Sequence, residues 1–453
     1  MRTSHTGRVS GGVAHVVAVS MGYGHERAAF GLRHLAEGNV ILANTYEGIP
    51  QADHFLWHQG RRWYERISRL KSVPLLGSLA FGAMDRMQQI DPFYPRRDLS
   101  APTLQLKQTY GFIHNRAWGK HLVDQLSKDR KPLISTFMTP AFAAEEFGYP
   151  EDIYVVTCDA DVSRGWAPLR PQKSRIQYIA PTGRVAERLQ LYGVPEKNIH
   201  LTGFPLPPEN VGGQDSKIVL SDLNRRLCLL DPEGTFARSA SPMIAASLGD
   251  GFCEAMGPKH MPLHVAFAVG GAGAQVDIGI QLLTSLAPDI RAGRVILTLV
   301  AGTLEHIGKL FLDAILEQKL DRALQTGSIV VLCEKERHVY FTAFGDAMRK
   351  VDVLITKPSE LSFYVGLGIP LIMTEPVGSQ EHFNRSWLFQ VGAGADMLDA
   401  RFANEWLWDW VKSGALARMA WMGYINAPTH GAYRIEDLMR GRPATMHKLP
   451  LVV

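Results

Sequence analysis

Between Val351 and Asn384 the chain reads VDVLITKPSELSFYVGLGIPLIMTEPVGSQEHFN, and its polar residues fall into two loops. The first holds Lys357, Ser359 and Glu360; the second ends on Gln380, Glu381 and Asn384. A helix is expected to start near Leu361. A helix N-terminus carries roughly half a positive charge and N–H groups without intrahelical partners, so Ser359 to Leu361 is suited to a phosphate. Two glycine-rich turns offer a related device: Gly270-Gly271-Ala272-Gly273-Ala274-Gln275, and Met21-Gly22-Tyr23-Gly24-His25-Glu26. Glycines between a strand and a helix let the backbone approach a ligand closely, and His25 opens the helix after the second turn. Asp159 and Asp161 follow another apolar run. Each residue also has a plainer use. His25 could hold a backbone carbonyl, Lys357 could be a solvated loop cation, and the two aspartates could simply end a strand. Gln380, Glu381 and Asn384 could cap a helix.

The surrounding elements explain why these loops would share an edge. Val353 to Thr356 and Pro370 to Thr374 are short continuous apolar runs flanking a helical stretch, the mark of parallel strands covered on both faces. Ligands of such sheets sit beyond the carboxyl ends of the strands, where both polar loops fall. His15 to Ser20, Val40 to Ala43, Pro132 to Thr136, Ile153 to Thr157, Arg175 to Ala180 and His200 to Gly203 read as strands of a first α/β half. His264 to Val269, Val295 to Val300 and Ile329 to Leu332 join the opening stretch in a second. Residues 209 to 259, rich in Ser, Gly and Pro, read as a linker with a lead-in helix near Leu220 to Leu230. From His54 to Gln89 aromatic and aliphatic residues mix with Arg61, Arg62, Arg66, Arg69 and Lys71. Two amphipathic helices packed on the domain would give this pattern, and so would a surface for anionic lipid. Trp406, Trp408, Trp410 and Trp421 recur at helical spacings and are read as packing.

A chain of 453 residues is expected to form two domains. The net charge of +4 is too mild to indicate nucleic acid. Cys158, Cys228, Cys253 and Cys333 are scattered without metal spacing, which predicts buried thiols in a reducing, cytoplasmic setting. The opening residues lack an apolar signal core, and no apolar run approaches 18 residues, so the chain is expected to be soluble or peripheral on a membrane.

Four stretches together resemble one family. GYGHERAA is similar to the GxGHxxAA element of the diacylglycerol glycosyltransferases, the monogalactosyldiacylglycerol synthase family. The N-acetylglucosaminyltransferase acting on the lipid intermediate of peptidoglycan synthesis has a related loop. GGAGAQ resembles the family's second glycine loop, YGVPEKNIHLTGFPL its stretch before the linker, and VDVLITKPSEL…LGIPLIMTEP…GSQEHFN its donor block. The resemblance implies the α/β architecture called GT-B, with two Rossmann-like domains facing across a cleft. Its parts would be an acceptor-side domain over 1–208, a linker over 209–260, a nucleotide-sugar domain over 261–405, and helices over 406–453 that close back on the first domain. It implies an inverting transfer of a sugar from a nucleoside diphosphate, UDP by the family's pattern, to a hydroxyl, with no metal ion and no cofactor. Gly270, Gly271, Gly273, Lys357 and Ser359 would neutralise the diphosphate, and Gln380, Glu381 and Asn384 would approach donor sugar and phosphates. His25 would be the base, since an imidazole near pKa 6.5 suits proton removal at neutral pH. Gly22, Gly24 and Asp159 would lie on the acceptor side, with a lipid or an anionic membrane surface as partner. The chain departs from the family at Ser359-Glu360, where the family has Gly-Gly, and at Tyr364-Val365, where it has a ribose-binding glutamate. A carboxylate beside a diphosphate repels it, so Glu360 would turn away or contact another group such as a ribose or sugar hydroxyl; either it replaces the ribose-binding glutamate, or the donor is bound differently, or activity is lost. A sugar-nucleotide epimerase or hydrolase, or a non-catalytic binding protein, would share the same features.

Overall fold

The computed structural model describes residues 12–59, 90–249, 252–253, 261–270, 273 and 275–442. Gly271 and the basic cluster from Arg61 to Lys71 lie outside the described residues. The described chain divides into two compact units, one of 12–21, 25–205 and 431–442, the other of 22–24 and 206–430.

The first unit is built on a parallel sheet of order β2-β1-β3-β4-β5-β6. Its strands are β1 (His15–Ala18), β2 (Ile41–Leu42), β3 (Leu133–Ser135), β4 (Ile153–Val156), β5 (Gln177–Ala180) and β6 (Ile199–Leu201). They are the expected apolar runs, and Val17, Ile134, Val155 and Ile179 are fully buried along them. Helix Met138–Glu146 follows β3 and carries helices Leu104–Arg116 and Lys120–Leu126. Asp161, beyond β4, is committed to structure: its carboxylate takes two hydrogen bonds from the buried Arg188 guanidinium, at 2.9 and 2.8 Å. Breaking a buried pair of this kind by removing one partner leaves an unpaired charge and costs about 3–5 kcal/mol.

The second unit holds a parallel sheet of order β12-β11-β10-β7-β8-β9. Its strands are β7 (Leu263–Ala268), β8 (Val295–Gly302), β9 (Ile329–Cys333), β10 (Val353–Thr356), β11 (Leu371–Met373) and β12 (Gly394–Asp396). In register, Thr356 is level with Ala268 of β7 and Met373 of β11. Three adjacent strands therefore end together, and their loops start side by side. Helices Val276–Arg291, Glu305–Glu317, Arg337–Lys350 and Ser379–Val391 connect the strands. Trp421 and Trp406 are buried in the closing helices, and the Trp406 and Trp408 indoles donate to Asp399 O and Asp289 Oδ1.

Two expectations are corrected. The lead-in helix is found as Lys217–Leu230, but the stretch read as linker carries a second full helix, Thr235–Leu248, and both pack on helix Ala415–Asn426. From the first of these, Arg226 reaches into the core and donates to Met348 O, Val351 O and Leu367 O. Burial, with Arg225 beside it, lowers its pKa to about 10. The helix expected to start near Leu361 is found as a 3-10 helix, Glu360–Leu367. Secondly, the four cysteines are not all thiols. Cys228 and Cys253 form a disulfide with Cα atoms 5.5 Å apart, while Cys158 and Cys333 are free.

Candidate functional site

The level endings of β7, β10 and β11 bring the polar loops after β10 and β11 beside Gly270. Thr356 Oγ1 donates to Ala268 O at 3.0 Å, tying β10 to β7 just below the loops. Beyond it, Lys357 lies across the backbone of Gly270. A Cβ at Gly270 would collide with Lys357 Cε and stand 3.1 Å from Nζ, so the glycine is what admits the lysine. The ammonium is ion-paired with Glu381 Oε1 in a largely buried setting. Gly273 has φ of +70°, a left-handed turn that glycine adopts without strain.

Glu381 serves two ends at once. Its other oxygen accepts from Val377 N at 2.7 Å and Gly378 N at 3.4 Å, closing the start of helix Ser379–Val391. The capping use and the use beside Lys357 are thus one arrangement, because a carboxylate has lone pairs enough for both. Asn384 is fully buried and donates to Pro358 O at 3.1 Å, so it braces the Lys357 loop from behind. Gln380, on the same first turn, is half-buried. Ser359 caps the 3-10 helix, its Oγ accepting from Leu361 N at 3.5 Å. Glu360 is half-buried, and a Cβ at Gly24 would stand 3.6 Å from its carboxylate oxygen. Tyr364 and Val365 are buried in the core of the second unit, at 1% and 0% exposure, so that position offers no carboxylate to a ribose.

Gln275 is a residue that sequence reasoning quoted but did not single out. It stands at φ +69° immediately before helix Val276–Arg291. Its Oε1 accepts from Thr374 Oγ1 at 2.7 Å, and its Nε2 donates to Glu375 O at 2.9 Å. No pattern of types or spacing marks it, since its partners are about 100 residues away in the chain.

Gly22 and Gly24 cluster with the second unit together with Tyr23, whose hydroxyl accepts from Thr303 N at 2.8 Å beyond β8. His25 belongs to the first unit, where it lies in helix Gly24–Gly31. Its ring centroid is 4.9 Å from Phe137 and 5.9 Å from Trp166. Asp159 is half-buried on the loop after β4. Among the described residues no cluster of three or more His, Cys, Asp or Glu side chains is placed to hold a metal, and no helix is long and apolar enough to cross a membrane.

What the second-unit loops can do chemically follows from their charges. A half-buried ammonium, 19% exposed, stands beside the loop after β7 and the start of helix Ser379–Val391, where a cation would attract an anion. The Lys357–Glu381 attraction is on the order of 4 kcal/mol at the effective dielectric of a site near the protein surface. A diphosphate, carrying more charge than one carboxylate, can compete for it.

Residues 256–401 match a family described as "Domain of unknown function (DUF6938)". No curated protein matches the chain. Among solved structures it is similar to the MurG of Acinetobacter baumannii, at 14% identity, with 83% of this chain and 95% of that one covered and a TM-score of 0.42. It is also similar to the UDP-GlcNAc 2-epimerase of Neisseria meningitidis bound to UDP-GlcNAc, at 11% identity, 77% and 81% coverage and a TM-score of 0.40. A third is Alr3699/HepE of Anabaena in complex with UDP, at 12% identity, 71% and 82% coverage and a TM-score of 0.39. Similarity at this level assigns neither an activity nor a ligand to this chain.

Proposed function

We propose that this chain is a glycosyltransferase that moves a sugar from a nucleoside diphosphate, UDP being the first candidate, to a hydroxyl acceptor. The observation that carries the reading is Lys357 laid over Gly270 at the shared edge of β7, β10 and β11. Backbone N–H groups and one cation, rather than a bound metal, would then take up the charge of the leaving diphosphate. Gly270, Gly271, Gly273, Lys357 and Ser359 form the proposed diphosphate site, with Gln380 and Glu381 toward the donor sugar and Glu360 toward a hydroxyl of ribose or sugar. His25 is assigned as the base for the acceptor hydroxyl. The half-buried Phe137 and Trp166 around His25 favour an acceptor with an apolar body. With the resemblance to the diacylglycerol glycosyltransferases, that supports a lipid acceptor met at the cytoplasmic face of a membrane. A second reading is favoured by the buried Val365: a protein that binds the nucleotide sugar, or hydrolyses or epimerises it, without transfer.

Calorimetric titration with UDP, followed by product analysis with UDP-sugars in the presence and absence of a diacylglycerol acceptor, decides between them. The transferase reading expects UDP binding and an acceptor-dependent product. His25→Ala should lower turnover by about 10²-fold or more and leave UDP affinity unchanged. Free sugar formed equally without acceptor supports the second reading, and undiminished turnover in His25→Ala removes that residue from the mechanism.

A further inference from the structure

We propose that Gln275 is a positioning residue, a side-chain bridge that fixes the gap in which Lys357 meets an anion. The proposal rests on the diphosphate-site reading above, but the bridge itself stands on geometry. In the second sheet β10 lies between β7 and β11. Neighbouring strands are about 4.8 Å apart, so the loops after β7 and β11 are separated by roughly 10 Å across the end of β10. The ladders that pair these strands end at Ala268, Thr356 and Met373. Beyond them the Gln275 carboxamide links the two loops, with Thr374 Oγ1 donating to its Oε1 at 2.7 Å and its Nε2 donating to Glu375 O at 2.9 Å. One residue thereby ties the start of helix Val276–Arg291 to the end of β11, over the strand that delivers Lys357.

The backbone shows what this arrangement costs. Gln275 sits at φ +69°, ψ 25°, a left-handed conformation that disfavours a side chain with a Cβ by about 1–2 kcal/mol. Glycine, asparagine or aspartate would relieve that strain. None of them reaches the distance that the longer glutamine spans. Two hydrogen bonds, one of them donated by the hydroxyl of Thr374, a residue that is 2% exposed, offset it. Asn384 and Glu381 tie the Lys357 loop to the first turns of helix Ser379–Val391, and the bridge holds the end of β11, which leads into that helix, from the β7 side. A loop left free on that side would let the anion-binding groups drift by an ångström, which is enough to cost tenfold or more in a preorganised site.

The test uses the full chain, with UDP as the probe, in wild type, Gln275→Gly, Thr374→Val and the double variant. Gln275→Gly keeps the left-handed turn without strain and removes the bridge, and Thr374→Val removes its partner with little change of volume. Each single variant is expected to bind UDP about tenfold or more weakly, and the double variant no more weakly than the worse single, as for two residues in one interaction. Melting temperatures should stay within a few degrees, which separates positioning from loss of fold. Amide exchange over 374–378, measured without ligand, should accelerate in Gln275→Gly. Wild-type protein that does not bind UDP overturns the diphosphate reading, and exchange then judges the bridge alone. Wild-type binding with unchanged UDP affinity in Gln275→Gly overturns the positioning role.

Discussion

At Gly270 a single methyl group decides where a charge can lie. The position does not need glycine for its backbone, since its φ is outside the left-handed region. What excludes alanine is Lys357 Cε, which occupies the space a Cβ would take. Overpacking of this kind costs typically about 1–3 kcal/mol, and here it falls on one flexible side chain rather than on the core. Gly270→Ala should therefore weaken UDP binding about tenfold or more, at nearly unchanged melting temperature, when both are measured by calorimetry. Equal affinity would mean that Lys357 does not touch the anion. Residues of this type were legible in the sequence because their chemistry is local: Lys357, Ser359 and Glu381 sit in one run of 34. Gln275 was not, because its use comes from partners that only the sheet order brings near. The buried Tyr364 and Val365 were legible as a departure, and the structure shows the reason, since both belong to the core.

Among the elements, the strands were read most easily. Val353 to Thr356 is a strand over the expected residues, and His264 to Val269 is displaced by one from Leu263–Ala268. Buried parallel strands are uniformly apolar, and no other short element looks like that. β12 escaped because Gly394-Ala395-Asp396 has no apolar run, and helix Thr235–Leu248 because its serines and Pro242 imitate a loop. The disulfide escaped as well, because scattered cysteines do not reveal spatial neighbours. Closing a loop of 25 residues limits the unfolded chain by about 3.5 kcal/mol in the chain-entropy account. Cys228→Ser, or reduction of the wild type, should lower stability to unfolding in urea by about 2–4 kcal/mol, and an unmoved midpoint would mean the cross-link does not form. The opposite edge of the second sheet carries a pH dependence. At the start of β7, His264 Nε2 is 2.8 Å from Thr298 Oγ1, and the His264 amide donates to Asp352 Oδ2 at 2.9 Å. Burial, then Arg225 and Lys350, lower its pKa from 6.5 to about 4. Between those values the unfolded chain takes up a proton that the folded chain refuses, so stability falls as pH drops through the window. The loss reaches about 3 kcal/mol near its lower end. His264→Gln should flatten the fall in urea midpoint from pH 7 to 4.5, whereas an equal fall in wild type and variant would clear His264.

For the whole molecule, composition said least: a net charge of +4 distinguishes no partner. The lipid reading makes a sharper claim on the basic cluster Arg61, Arg62, Arg66, Arg69 and Lys71. Each cation near an anionic surface contributes about 1 kcal/mol. Flotation with vesicles of phosphatidylglycerol should carry the protein upward at low salt. Replacing the five cations by glutamine should leave it behind, and indifference of the wild type to such vesicles would count against a membrane-bound acceptor. The division of the chain into units has a consequence of its own. The first unit is completed by helix Gly431–Met439, where Arg434 donates to Thr202 O at 2.8 Å, His34 meets Glu436 at 3.5 Å, and Gly431 packs on the Phe204 carbonyl. During synthesis the ribosome must therefore deliver the whole 206–430 stretch before the first unit has all its parts. The half of the protein that is begun first is finished last, and a nascent chain halted near residue 430 would expose that gap to proteases.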